Sequence, residues 1–289
     1  MEKIYDVLIV GGGVAGMTAA VYAKRRGKKV AIIEKFALGG QVLSLNKIEN
    51  FPSQTEIDGF TLSQMFANQI RDLDIPVLRD SVVSVDLSTA EKVIFGKSDT
   101  YKAKSVIIAT GLSSVSLGVG EDKFLGSGVS YCVVCDANFF KGKNVCVASK
   151  NGSGIKGAME LAEICSHVTV LDSEDMSLYA AHNKNSKIKI ISNAVITGVE
   201  GENFLEKVLF KVAEEEKTIK TAALFVELGK KALTDIFAGV LKDEKGFIIT
   251  NENMETSIKD VYSVGDVRAN VLKQIVTACS DGAIAGQNA

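Results

Sequence analysis

The chain has 289 residues, 46% hydrophobic and 24% charged, with a formal net charge of −2 and a pI near 5.9. That length accommodates two domains with separate cores. The composition excludes a disordered chain and gives no basic footprint for nucleic acid or an acidic membrane surface. No apolar run approaches the roughly 20 residues of a membrane-spanning helix, and the N-terminal apolar run ends in glycines with no cleavage site. A cytoplasmic protein is therefore expected.

Residues 5–10 (YDVLIV) form a short, nearly all-apolar run, as a strand buried on both faces requires. Glycines follow, then an Ala-rich helical stretch closed at Gly27, then the strand KVAIIE ending at Glu34. Gly11, Gly13 and Gly16 fit G-x-G-x-x-G with a strand before and a helix after. The first glycine makes the tight turn, and the second lets backbone approach a pyrophosphate at the helix N-terminus. The third lets helix pack on strand. Glu34, 23 positions past Gly11, is placed for ribose hydroxyls. This is a dinucleotide site.

Further along, TYKAKSVIIATG (100–111) reads as a strand and turn, and LSSVSLGVG as a linker. The same unit then recurs 138 residues on. NVCVA (144–148) is a strand, GIKGAMELAEICSH an amphipathic helix, and VTVLD a strand ending at Asp172. Gly11 aligns with Ser149, Gly13 with Asn151, Gly16 with Gly154 and Glu34 with Asp172. The two phosphate-contacting glycines are lost. A side chain at a left-handed position costs about 1–2 kcal/mol, and its Cβ takes space that a pyrophosphate needs. Sliding to Gly152, Gly154 and Gly157 restores the pattern only by lengthening the turn by three residues and shortening the helix. The second site is degraded.

Strand-like stretches KIKII, AVITGVE, KVLFKV and ALFVEL carry the central unit to about residue 240. A last strand, a Gly-Asp turn at Gly265–Asp266 and a final helix complete the chain. The expected fold is α/β: two Rossmann-like dinucleotide-binding domains of three-layer ββα form, the second inserted in the first. Boundaries are expected at 1–113 and 241–289 for the first and 114–240 for the second.

Cys146 and Cys165 lie in an apolar strand and an amphipathic helix and read as buried small hydrophobes. Cys132 and Cys135 form a Cys-x-x-Cys pair, which can close a small disulfide. At a helix N-terminus the peptide dipoles would stabilise a thiolate there. A structural zinc site needs four ligands, and the chain offers one such pair and two distant histidines, so no metal is expected. Two plain core thiols remain the other alternative.

CVVCD (132–136), GGQ (39–41), IENFP (48–52), ATG (109–111) and VGDVR…QIVTA (264–278) occur together and in order. This set resembles the low-molecular-weight thioredoxin reductases over essentially the whole chain. The resemblance implies a homodimeric FAD protein with a redox-active Cys132–Cys135 disulfide on its central domain. It implies FAD contacts at Gly11, Ala15, Glu34, Gly40, Gln41, Asn50, Val82, Ala109, Asp266, Lys273, Gln274 and Ile275, beside the glycines Gly13, Gly16 and Gly265. Asp136 would protonate an outgoing thiolate; the alternative is a helix-opening acid favoured by the dipole. Cys135 would be the sulfur nearer the flavin, and Cys132 would attack the disulfide of thioredoxin.

The departures bear on the electron donor. Relatives that use NADPH carry intact glycines and a His-Arg-Arg run after the second strand; here Asp172, Ser173 and Glu174 stand in its place. Carboxylates repel a 2′-phosphate and give it no guanidinium partner. The pattern is similar to the ferredoxin-dependent flavin thioredoxin reductases of anaerobic bacteria, which implies ferredoxin as donor. The alternatives are an NADH- or NADPH-dependent reductase, with Asp172 on a 2′-hydroxyl, and a flavin-bearing redox sensor without turnover.

Overall fold

Strand β1 (Ile4–Val10) is buried from Val7 to Val10, and its continuous apolar run reflects a sheet covered on both faces. In the computed structural model, which describes residues 4–289 apart from Asn46 and the side chain of His182, β1 pairs in parallel with β2 (Val30–Glu34) and β6 (Thr100–Ile108). Helix α1 (Val14–Arg25) makes the crossover from β1 to β2. Gly27, at φ +78°, closes it with an N–H bond to the Lys24 carbonyl. Helix α2 (Gly59–Asp72) opens on Asp58, whose carboxylate accepts from the Thr61 N–H and hydroxyl at 2.8 and 2.7 Å. Strand β3 (Val77–Arg79) extends the parallel edge at β2. Strands β4 (Val82–Asp86) and β5 (Lys92–Gly96) make an antiparallel ribbon with the first half of β6.

The chain divides into two units, one comprising 1–113 and 231–289 and the other 114–230. Strand β7 (Leu112–Ser114) leads out of the first. The second unit repeats the plan of the first. Its parallel sheet contains β8 (Val129–Ser130), β9 (Asn144–Ser149), β10 (His167–Asp172), β11 (Ile188–Ile191) and β15 (Ala223–Glu227), in the order β11-β10-β9-β15-β8. Helices α3 (Val133–Asp136) and α4 (Ile155–Ile164) cover one face, through Val133, Ala158 and Leu161 on Val147, Val170 and Phe225. The meander β12 (Ala194–Glu200), β13 (Lys207–Val212) and β14 (Glu215–Lys220) covers the other. The short helix α5 (Ser177–His182) follows β10.

Strand β16 (Lys230–Ala232) returns the chain to the first unit. The return therefore falls at 231 and not at the expected 241. Phe237 and Val240 decide this: both are buried against Leu8, Ile33 and Ile108 of the first unit's sheet. Strand β17 (Val261–Ser263) pairs with the second half of β6, and α6 (Ile275–Asn288) then packs on α1. That packing is close at Gly282 and Gly286, where an added Cβ would lie 2.3 and 2.4 Å from the Ala15 and Ala19 carbonyl oxygens. In both units helices cover one sheet face and an antiparallel ribbon lies toward the other, as the three-layer reading requires. Among the described residues no helix is long and apolar enough to cross a membrane.

Candidate functional sites: a dinucleotide cleft and a Cys-x-x-Cys pair

The C-terminal ends of β1, β2, β6 and β17 open onto a cleft of about 440 Å³, where ligands bind in open α/β sheets. Gly11, Gly13, Ala15, Glu34, Gly40, Gln41, Ala109, Gly265, Asp266, Gln274 and Ile275 all line it. Each glycine has a separate reason to be there. Gly11 is left-handed at φ +110°, and a Cβ on it would stand 2.3 Å from the Ala109 carbonyl oxygen. Gly16 lies under the turn, with a Cβ position 2.0 Å from the Gly11 oxygen, so it serves helix-on-strand packing rather than the cleft. Gly13 caps α1 with no side-chain hydrogen bond, and apart from its chain neighbours no atom of the described residues lies within 4 Å of where its Cβ would be. The open space over Gly13 at a twelve-residue helix N-terminus fits the pyrophosphate of a dinucleotide.

Glu34 accepts the Gly12 N–H at 2.7 Å and the Phe36 N–H at 2.8 Å while still lining the cleft. A second cleft of about 240 Å³ shares Gly11, Glu34, Lys35, Thr110 and Leu233 with the first, and Val82 lines this one. Asn50 and Lys273 line neither. The Asn50 amide donates to Gln274 Oε1 at 2.9 Å and so holds a lining residue. The Lys273 ammonium turns inward, donating to the Asp266 and Arg268 carbonyls and Asn270 Oδ1 at 2.8–3.0 Å, over the Phe247 ring. Burial lowers its pKa. Lys273 thus fixes the turn that carries Asp266.

Arg268 and Asp281 complete this anchor and were not singled out from sequence. The Arg268 guanidinium grips Asp281 at 2.7 and 2.9 Å, and Asp281 also accepts the Gly265 N–H at 3.1 Å. Asp281 is 4% exposed. A sequence signal exists: Asp281 is the only acid on the small-residue stripe Ala278, Gly282, Ala285 and Gly286 that α6 buries.

In the second unit Cys132 and Cys135 are disulfide-bonded, with Cα atoms 5.4 Å apart. The helix they open, α3, has only four residues and runs into a 3-10 turn over Ala137–Phe140. The dipole stack expected to face Cys132 is therefore short. More local contacts do the holding. Cys132 Sγ accepts the Cys135 N–H at 3.2 Å, and the Cys132 carbonyl accepts the Asp136 N–H at 3.2 Å. Asp136 is half-buried beside Cys135. Tyr131 donates to Glu121 at 2.9 Å. Glu121, 2% exposed, also accepts the N–H groups of Leu117, Gly118 and Val119. Burial and the Glu121 bond push the Tyr131 hydroxyl up. Cys146 and Cys165 are buried, and burial pushes the Cys146 thiol up to about 12. Among the described residues no cluster of three or more His, Cys, Asp or Glu side chains could hold a metal.

The repeated glycine loop has a different path from the first. Ser149 remains the last residue of β9, so the strain expected there does not arise. The left-handed positions are instead Asn151 at φ +51° and Gly152 at φ +77°, residue types that tolerate them. Helix α4 starts at Ile155 although Gly152 aligns with the Val14 start of α1, so the turn is longer and the helix begins later. The loop closes on Asp172, which is 0% exposed. Its Oδ2 accepts from the Ser149 hydroxyl at 2.6 Å and the Gly152 N–H at 2.9 Å. Its Oδ1 accepts the Asn151 and Glu174 N–H groups at 3.0 and 2.9 Å. Burial alone would raise the Asp172 carboxyl, but these four donors outweigh it and hold it below the ordinary carboxylate range. The Gly154 N–H goes to Ser149 Oγ at 2.9 Å. The backbone N–H groups from Lys150 to Gly154 are thus all used within the unit.

Residues 5–282 match the pyridine nucleotide-disulphide oxidoreductase family. The thioredoxin reductase of Peptoclostridium acidaminophilum is 37% identical over 306 aligned residues, covering 100% of this chain and 97% of its own. The crystal structure of Lactococcus lactis thioredoxin reductase superposes with a TM-score of 0.78 at 32% identity, covering 98% of this chain and 97% of that one. A ferredoxin-flavin thioredoxin reductase from Clostridium acetobutylicum gives 0.58 at 28% identity, covering 100% and 97%. With the glycine cleft, the inserted second unit and the Cys-x-x-Cys disulfide all in one chain, this protein belongs to the low-molecular-weight thioredoxin reductase family of disulfide oxidoreductases.

Proposed function

We propose that this chain is a homodimeric flavoprotein that passes electrons from reduced ferredoxin, through FAD and the Cys132–Cys135 disulfide, to thioredoxin. The single observation that carries the choice of donor is the closed second loop. Asp172 takes the Asn151 and Gly152 N–H groups that an intact loop would offer to a pyrophosphate. Each of its oxygens accepts two hydrogen bonds, which fills the carboxylate, whereas Glu34 accepts one on each oxygen and keeps acceptor capacity for a ribose hydroxyl. FAD, when bound in the first unit's cleft, supplies a centre that takes up electrons singly and gives them up as a pair.

The rest belongs to the two sulfurs. Reduction of the Cys132–Cys135 bond takes two electrons and two protons and yields two thiols. Cys132, as thiolate, attacks one sulfur of the thioredoxin disulfide. That S–S bond breaks, and Asp136 is the acid assigned to protonate the departing thiolate. Cys135, as thiolate, then attacks the Cys132 sulfur, expels the second thioredoxin sulfur and restores the Cys132–Cys135 bond.

NADPH or NADH is the rival donor. It is favoured by the family's own description and by the higher TM-score of the Lactococcus lactis thioredoxin reductase, 0.78 against 0.58 for the ferredoxin-flavin enzyme. Anaerobic bleaching of the flavin absorbance by NADPH, NADH and reduced ferredoxin, side by side, separates the two. Ferredoxin alone should bleach it rapidly. Saturable thioredoxin turnover with micromolar NADPH or NADH and no ferredoxin overturns the proposal.

A further inference from the structure

Ser130 has no role in the chemistry above, yet it is the side chain that holds Cys132. It ends the two-residue strand β8, whose partner is β15 (Leu224 beside Val129, Phe225 beside Ser130), and it is 4% exposed. Its hydroxyl accepts the Cys132 N–H at 3.0 Å and donates to the Cys132 carbonyl at 3.2 Å. One buried oxygen thus brackets both polar groups of a single peptide residue. Cys132 is extended, at φ −141° and ψ 98°, and this backbone sets its Sγ onto the Cys135 N–H at 3.2 Å.

We propose that Ser130 is a positioning residue for disulfide exchange: by bracketing Cys132 it keeps Cys132 Sγ on the Cys135 N–H, so that this sulfur carries the stabilised thiolate once the disulfide is reduced. The inference rests on reading Cys132 as the exchanging cysteine. The physical basis is that a donor aimed at the charged form lowers a thiol's pKa. The N–H donor here belongs to the backbone and stays in place whatever residue 135 is. What can be lost is the alignment of Cys132 to it. No covalent change at Ser130 is involved, and its hydroxyl is engaged with the Cys132 backbone. Tyr131, bound to Glu121, steadies the same segment from the other side, so loss of the bracket should loosen Cys132 without releasing the strand.

The test uses the full-length, FAD-loaded protein carrying Cys135→Ser, so that Cys132 is the one thiol of the pair. The pH dependence of its alkylation by iodoacetamide, read peptide by peptide by mass spectrometry, reports its thiolate. It needs neither ferredoxin nor thioredoxin, so its outcome is separate from the question of donor and acceptor. Adding Ser130→Ala should raise the apparent pKa of Cys132 by about one unit and slow alkylation at neutral pH about ten-fold. Ser130→Thr, which keeps the hydroxyl, should restore the profile. Superimposable profiles with and without Ser130→Ala overturn the proposal. Should Ser130→Ala fail to fold, hydrogen exchange at the Cys132 amide of the unaltered protein decides instead: protection supports the bracket, and exchange at the rate of an open amide refutes it.

Discussion

Asp172→Asn changes one atom type and retains the shape of the side chain, so it isolates the charge that closes the second loop. The carboxylate accepts four hydrogen bonds while fully buried. Asparagine can keep the pair at Oδ1 but sets an NH2 against the Gly152 N–H on the other side. Hydrogen bonds to charged groups contribute about 1.5–3 kcal/mol each, and four on one carboxylate do not add independently. Asp172→Asn should therefore cost about 2–3 kcal/mol and Asp172→Ala about 4–5 kcal/mol. With a urea slope near 1.5 kcal/mol per molar, the midpoint of Asp172→Asn should fall by roughly 1.3–2 M, followed by circular dichroism because the chain has no tryptophan. The pH dependence is diagnostic as well. The folded-state pKa lies below the unfolded value of about 3.9, so the stabilisation is fully present above that pH and is lost as pH falls through the folded pKa. Asp172→Asn should remove the share of the acid-side decline that belongs to Asp172 and leave that of the other carboxylates held low, such as Asp80 and Glu121. Wild-type midpoint and wild-type acid dependence in this variant would refute the account of a loop held by its own carboxylate.

The two glycines of the first loop should separate binding from packing. Gly13→Ala faces open space at an unstrained φ of −71°, so it should fold within about 0.5 kcal/mol of wild type while FAD affinity, followed by fluorescence titration, drops ten-fold or more. Gly16→Ala places a methyl 2.0 Å from the Gly11 oxygen and should lower thermal stability, by about 1–3 kcal/mol, whether or not FAD is present. Arg268→Met leaves Asp281 buried without its ion partner and should cost about 3–5 kcal/mol in urea unfolding, with looser FAD binding because the Gly265 turn hangs on the same carboxylate. The sulfurs should be unequal too: Cys135→Ser should accumulate a mixed disulfide with thioredoxin on non-reducing gels, and Cys132→Ser should not.

Local sequence determined a good deal of this protein. Apolar runs of strand length, Gly11 and Gly16 around the first turn, and an acid at the end of the second strand each act through neighbours within one strand-helix-strand unit. Their consequences can be read wherever the unit occurs, and so the repeat 138 residues on was visible. The cysteine pair was equally plain, since a spacing of three lets two sulfurs meet. Other features depend on partners that only the folded chain brings together. Phe237 and Val240 belong to the first unit because Leu8 and Ile108 are there to bury them. Arg268 and Asp281 become an anchor because α6 lies beside the Gly265 turn. In the second loop the sequence showed that glycines were missing, but not what replaced their function. A carboxylate at the end of such a strand can line an open cleft while accepting one loop N–H, as Glu34 does, or be buried and filled by its own loop, as Asp172 is. The deciding term is whether free backbone donors lie within hydrogen-bond reach of a buried charge, and only the tertiary arrangement of strand, turn and helix settles that.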